Sequence, residues 1–145
     1  MPITTTKSTI TAEGAQQMIA AAEAKARAIG VPMCIAVCDE AGQQKAFLRM
    51  DGAPLLSIEV AQDKAYTAVG FGLATEDWYP FIKDDGPLAL GAPKVPRLII
   101  FGGGYPIREG GQIVAGLGVS GGHYSQDMEV AKAGLQAIND AIAAQ

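Results

Sequence analysis

The sequence predicts an α/β chain of the α+β kind, an antiparallel sheet of about five strands flanked by helices. Two observations carry this. Amphipathic helical stretches stand at both ends of the chain, and between them apolar strand-like runs come in pairs joined by short turns. The resulting order, α-β-β-α-α-β-β-α, lacks the strict βαβ alternation of a parallel sheet. Residues 1–145 read as one domain, since no internal repeat or linker divides them.

The first helix is expected from about Thr11 to Ile29, where Ala15, Met18, Ile19, Ala22, Ala26 and Ile29 share one face. Thr11 caps its start and Gly30 ends it. Met33–Cys38 and Gln44–Met50 follow as a hairpin about the turn Asp39-Glu40-Ala41-Gly42. Asp51-Gly52-Ala53-Pro54 breaks the second strand and leads to a helix over about Leu55–Gly70. A short helix is expected near Thr75–Ile82 with Thr75 as cap, then a loop from Asp84 to Pro96 of the length used by lids and binding loops. Arg97–Phe101 reads as the third strand. Gln112–Ser120 reads as the fourth, with Gly116 or Gly118 as a point where it splits. Met128, Ala131, Leu135, Ile138 and Ile142 mark a last amphipathic helix over about Ser125–Ala143.

Apolar residues make up 49% of the chain and charged residues 18%, with a net charge of −4, which excludes a general nucleic-acid binder relying on clustered Lys and Arg. No run reaches the roughly 18 apolar residues of a membrane span. The N-terminus lacks the apolar segment of a signal peptide, so a cytoplasmic location is expected. Cys34 and Cys38, on one strand, would stand about 13 Å apart, too far for a disulfide. Buried free thiols are the expectation.

Several residue groups carry candidate chemistry. Arg49 and Asp51 share strand parity at the end of the second strand; an arginine fork beside a carboxylate suits an anionic ligand, or is a structural ion pair fixing the turn. Ala61, Ala65 and Ala68 make a face small enough for close approach of the sheet or of a partner helix. Lys64 borders that face as a solvated lysine, a buried counter-ion to Asp51 or a ligand contact. Gly102-x-Gly104 is no dinucleotide fingerprint, because a strand and not a helix is expected after it. Gly118-Val119-Ser120-Gly121-Gly122-His123 does open a helix, so the Gly121 and Gly122 amides have the setting of an anion site. His123, the only histidine, stands at that entrance as a helix-start residue, a general base or an iron ligand.

Arg49-Met50-Asp51-Gly52-Ala53, Ser57 and Lys64-Ala65-Tyr66-Thr67-Ala68 resemble the HbpS-like haem-degrading family, which includes GlcG and the C-terminal domain of PduO. So do Gly102-Gly103-Gly104-Tyr105-Pro106-Ile107, Gly116-Leu117-Gly118-Val119-Ser120-Gly121-Gly122 and Gln126-Asp127, in this order from Thr11 to Ala143. The resemblance implies a profilin-like fold, assembly as homo-oligomers, haem or corrinoid-related binding, and a setting among catabolic genes. Two departures stand out. Haem-binding relatives of the PduO type resemble one another in using a histidine in the first helix, and none lies between Thr11 and Ile29; the position after Gly121-Gly122, usually a small hydroxyl residue in the family, is His123 here.

The function expected is therefore small-molecule binding, with haem as the cofactor the resemblance brings and His123 as its metal ligand if haem is bound. The alternative is a cofactor-independent isomerase, lyase or hydrolase acting on a small carboxylate. There His123 would be acid and base, Arg49 with the Gly121 and Gly122 amides would hold the anion, and Tyr105 or Lys64 would polarise the substrate. A third reading is an oligomeric accessory subunit. Partners are a small molecule and further copies of the chain, with no nucleic acid and no membrane.

Overall fold

The computed structural model describes residues 1–145. Thr11 caps α1 (Ala12–Ile29), its Oγ1 accepting from the Gly14 N–H at 3.0 Å, and Gly30 closes the helix at φ 72°. The hairpin expected next is β1 (Cys34–Asp39) with β2 (Gln44–Arg49), and Asp39 Oδ1 accepts from the Ala41 and Gln43 amides in the turn between them. Helix α2 (Ser57–Phe71) follows, then a 3₁₀ turn (Thr75–Asp77) running into α3 (Trp78–Ile82). Thr75 is not a cap: its hydroxyl accepts from the Gly104 N–H at 2.9 Å and ties the turn to the sheet. Strands β3 (Gly104–Glu109) and β4 (Gln112–Ser120) form a second hairpin, and α5 (Tyr124–Ala144) closes the chain.

Four expectations are corrected. Arg97–Phe101 is not a strand, and β4 is not split, so the sheet has four strands in the order β2-β1-β4-β3, all antiparallel, and not about five. The Thr67 hydroxyl of α2 donates to the Arg97 carbonyl at 2.7 Å and accepts from the Ile99 amide at 3.1 Å, meeting backbone needs that a strand ladder would otherwise meet. Leu98 and Ile100 pack on Trp78, Ile82 and Ala92, so the run is apolar because it lies under helices. Nor is Asp84–Pro96 an unstructured loop. It holds α4 (Gly86–Gly91) and a 3₁₀ turn (Ala92–Lys94), with Asp85 capping α4 through the Leu88 amide and Pro87 in its first turn.

The sheet is covered on both faces. Met18, Ala22 and Ala26 of α1 and Val130, Ala131 and Ile138 of α5 share a core with Ile35, Val37, Leu117 and Val119. On the opposite face Ala61 and Ala65 of α2 pack on Cys34, Ala36 and Cys38, both cysteines free and buried. The alanine face is thus taken up by the chain's own sheet. Contact is close enough that a Cβ at Gly118 would stand 2.0 Å from the Ala61 carbonyl oxygen. No helix is long and apolar enough to cross a membrane.

Candidate functional site

Helix α2 lies tight against β4 and the start of β3, which leaves Lys64 no route to water. Its side chain is fully buried and its Nζ donates to Asp127 Oδ2 and to the Val119 carbonyl, each at 2.8 Å. The aromatic ring of Phe101 lies 5.1 Å from the ammonium. Gly103, at φ 124°, lets the chain pass, since a Cβ there would meet Val119 O at 2.6 Å and Lys64 Nζ at 2.8 Å. Burial pushes the Lys64 ammonium below its ordinary pKa and the Asp127 carboxyl above its own, while the charge of each opposes the shift of the other. The counter-ion of Lys64 is therefore Asp127 and not Asp51. The Asp127 signal in the sequence was its place in the first turn of a helix, where a solvated acid is the ordinary reading.

Asp127 also changes the helix entrance. Its Oδ1 accepts from the Gly122 N–H at 3.0 Å, so the chain supplies its own anion there. The His123 N–H donates to Gln126 Oε1 at 3.0 Å, and His123 Nδ1 accepts from the Ser125 N–H at 3.2 Å and contacts Ser125 Oγ at 2.9 Å. Exposed His123 is thus the N-cap of α5, with its ring stacked near Tyr124 at 4.1 Å. Gly121, at φ 152°, turns the chain from β4 past Pro32 and Met33.

The remaining predicted residues stand apart. Arg49 pairs across the sheet with Cys34, and Cys34 with Ser120, so Arg49 lies at the same sheet end as Gly121 but is exposed. Asp51 is exposed in the following turn, and no ion pair joins it to Arg49, because β2 ends at Arg49 and the shared parity is lost. Tyr105 is buried in the core with its hydroxyl donating to Glu76, and burial followed by that carboxylate raises its pKa beyond the ordinary phenol range.

The main cavity lies elsewhere, a half-open cleft of about 490 Å³ between α2, α3, α4 and residues 95–98. Arg49, Asp51, Lys64, Tyr105, Gly121, Gly122 and His123 do not line it. Its walls include Tyr66, Phe71, Trp78, Ile82, Leu88 and Leu98, and its one charged lining residue is Arg97. Arg97 Nε donates to Asp63 Oδ1 at 2.7 Å and its guanidinium lies 3.8 Å over the Tyr66 ring. Trp78 sits 5.1 Å from Phe71 and 6.1 Å from Phe81, ring to ring, and its buried Nε1–H has no partner. A buried unpaired donor costs about 1–3 kcal/mol. Nothing in the one-dimensional pattern marked Arg97 or Trp78, whose meeting depends on how residues 84–101 fold back over α2.

Comparison with known proteins places this architecture. The chain is 36% identical over 124 residues to the corrinoid adenosyltransferase PduO of Citrobacter freundii, a match covering 85% of this chain and 37% of PduO, so the chain spans little more than a third of that relative. The crystal structure of Klebsiella pneumoniae ORFY superposes with a TM-score of 0.87 at 33% identity, covering 96% of this chain and 97% of that one. The crystal structure of a PduOC–haem complex gives 0.84 at 32% identity, covering 90% and 96%. With residues 10–136 matched by the model of the haem degrading protein HbpS-like family, the chain belongs to that family.

Proposed function

We propose that this protein binds a flat, largely apolar small molecule in the cleft over α2, with haem the first ligand to test. The observation that carries this is the cleft itself: about 490 Å³, walled by Tyr66, Phe71, Trp78 and Leu98, with one cation at its rim. Ligand sites of this kind span roughly 300–1,000 Å³ and combine apolar walls with few polar groups. The PduOC relative, known in complex with haem, supports a flat ligand.

The walls suit a macrocycle better than they suit its iron. Axial haem ligands are His, Cys, Met or Tyr, and among the lining residues only Tyr66 is of these types, with Arg97 stacked on its ring. His123 lies outside the cleft and uses its Nδ1 as a helix cap. The chain therefore offers the cleft a hydrophobic seat and no axial imidazole. The dispersal of Arg49, Tyr105 and His123 outside this cavity gives the acid–base reading no shared substrate seat.

Haem titrated into the protein should quench the emission of Trp78, the sole tryptophan, saturably at one haem per chain. His123→Ala should leave that curve unchanged. Absence of any saturable change in Trp78 emission or in the haem absorption band would refute the reading; a curve abolished by His123→Ala would move the site to the α5 entrance.

A further inference from the structure

We infer that the cleft's ligand is an aromatic carboxylate, its ring seated among Tyr66, Phe71 and Trp78 and its carboxylate on the free edge of Arg97. This rests on the cleft reading above and names the ligand class for it. Three observations converge. Arg97 is the one charged residue lining an otherwise uncharged cleft, so a buried ligand charge of opposite sign has a single partner to find. Asp63 engages only Nε, leaving both Nη groups without a protein hydrogen bond, and the side chain keeps 43% of its exposure. A guanidinium held at Nε still presents its Nη edge, whose fork matches a carboxylate in two parallel hydrogen bonds.

Arg97 is also held where an arginine does not rest by itself. It is the only non-glycine residue with positive φ, at 66°. Thr67 fixes its carbonyl, Asp63 its Nε and Tyr66 the face of its guanidinium. Strained backbone kept in place by several independent contacts is a mark of a pre-positioned functional group. Trp78, 7% exposed, stands in the wall of the same cleft and supplies it with an aromatic face. An aromatic ring answers the walls, and an anionic group on it answers the arginine. A neutral hydrocarbon answers only the walls.

The test compares 4-isopropylbenzoate with its neutral amide, 4-isopropylbenzamide, by calorimetry on the full chain, with Trp78 emission reporting the place of binding. The acid should bind roughly 10- to 100-fold more tightly than the amide, the range expected for hydrogen bonds to a charged group. Arg97→Asn, which suits a left-handed backbone, should erase that difference between acid and amide. Acid and amide binding equally to the unaltered chain would overturn the inference, whether or not the variant folds, and leave the cleft reading standing. So would failure of both probes alongside saturable haem binding. Failure of acid, amide and haem together would overturn both.

Discussion

Lys64 Nζ and Asp127 Oδ2 lie 2.8 Å apart with their side chains 0% and 3% exposed, so one ion pair fastens α2 to the first turn of α5 across the Gly102–Gly104 segment. The Val119 carbonyl and the Gly122 amide complete the pair's hydrogen bonds, which is what makes two charges tolerable in a dry interior.

Removing one partner leaves the other uncompensated. Lys64→Met or Asp127→Ala should each cost roughly 3–5 kcal/mol in urea unfolding. The double variant Lys64→Met/Asp127→Ala should cost far less than the two single changes summed, because no buried charge is left over. Strict additivity would show that the two residues act independently.

Cys38 gives a pH signature. Burial raises its thiol from 9.0 to about 11, against a backbone hydrogen bond at Gly116 that pulls it down and with a smaller push upward from the Asp39 charge. Between those values the unfolded chain releases a proton that the folded chain keeps, so this group's contribution to stability is complete below pH 9.0 and is lost as pH rises towards about 11. Unfolding free energies of the native chain and of Cys38→Ala, compared at pH 8 and pH 10.5, should diverge in that sense. The same burial predicts slow reaction with thiol reagents in the folded state.

His123 serves α5 as a cap, through Nδ1 and the Ser125 amide. His123→Ala should lower stability by roughly 0.5–2 kcal/mol, the usual cost of a lost N-cap, and His123→Asn should restore most of it. A melting temperature unchanged in both would remove the histidine from the helix start's energetics.

Self-assembly is predicted from the surface that α2 does not use. The alanine face packs on the sheet, but Leu55, Leu56 and Leu90 remain 79%, 81% and 81% exposed. Apolar side chains this open invite burial between identical chains. Light scattering should return a multiple of 15.0 kDa, and Leu55→Glu/Leu56→Glu should lower it. A mass of one chain at micromolar concentration would refute the prediction.

The sequence disclosed the elements whose burial and capping are periodic or local. Helix α1 has Thr11 and Gly30 at its ends and a continuous apolar face between, and α5 has a stripe spaced by three and four residues. The antiparallel hairpin of β1 and β2 followed from the first pair of runs, whereas β3 (Gly104–Glu109) lies where only a connection to the last strand was expected. What stayed hidden depends on distant partners. Leu98–Ile100 looks like a strand because burial under α3 and α4 selects the same residues as burial in a sheet. Lys64 found Asp127 and not Asp51 because Gly103 lets its side chain cross towards α5, a path no spacing along the chain records. The cleft was invisible for the same reason: Tyr66, Trp78 and Arg97 meet only after residues 84–101 return over α2.

The lone tryptophan divides the molecule into parts that can be watched separately. Trp78 belongs to a satellite cluster with Ile82 and Ala92, apart from the larger core between the sheet, α1 and α5. Few buried neighbours make such a layer the first to open. Its emission therefore follows the peeling of α3 and α4 from α2, whereas far-ultraviolet circular dichroism follows the sheet and the two long helices. Denaturation curves that part company between these signals would reveal a cooperative unit that undocks below the global transition, with the sandwich beneath it still folded.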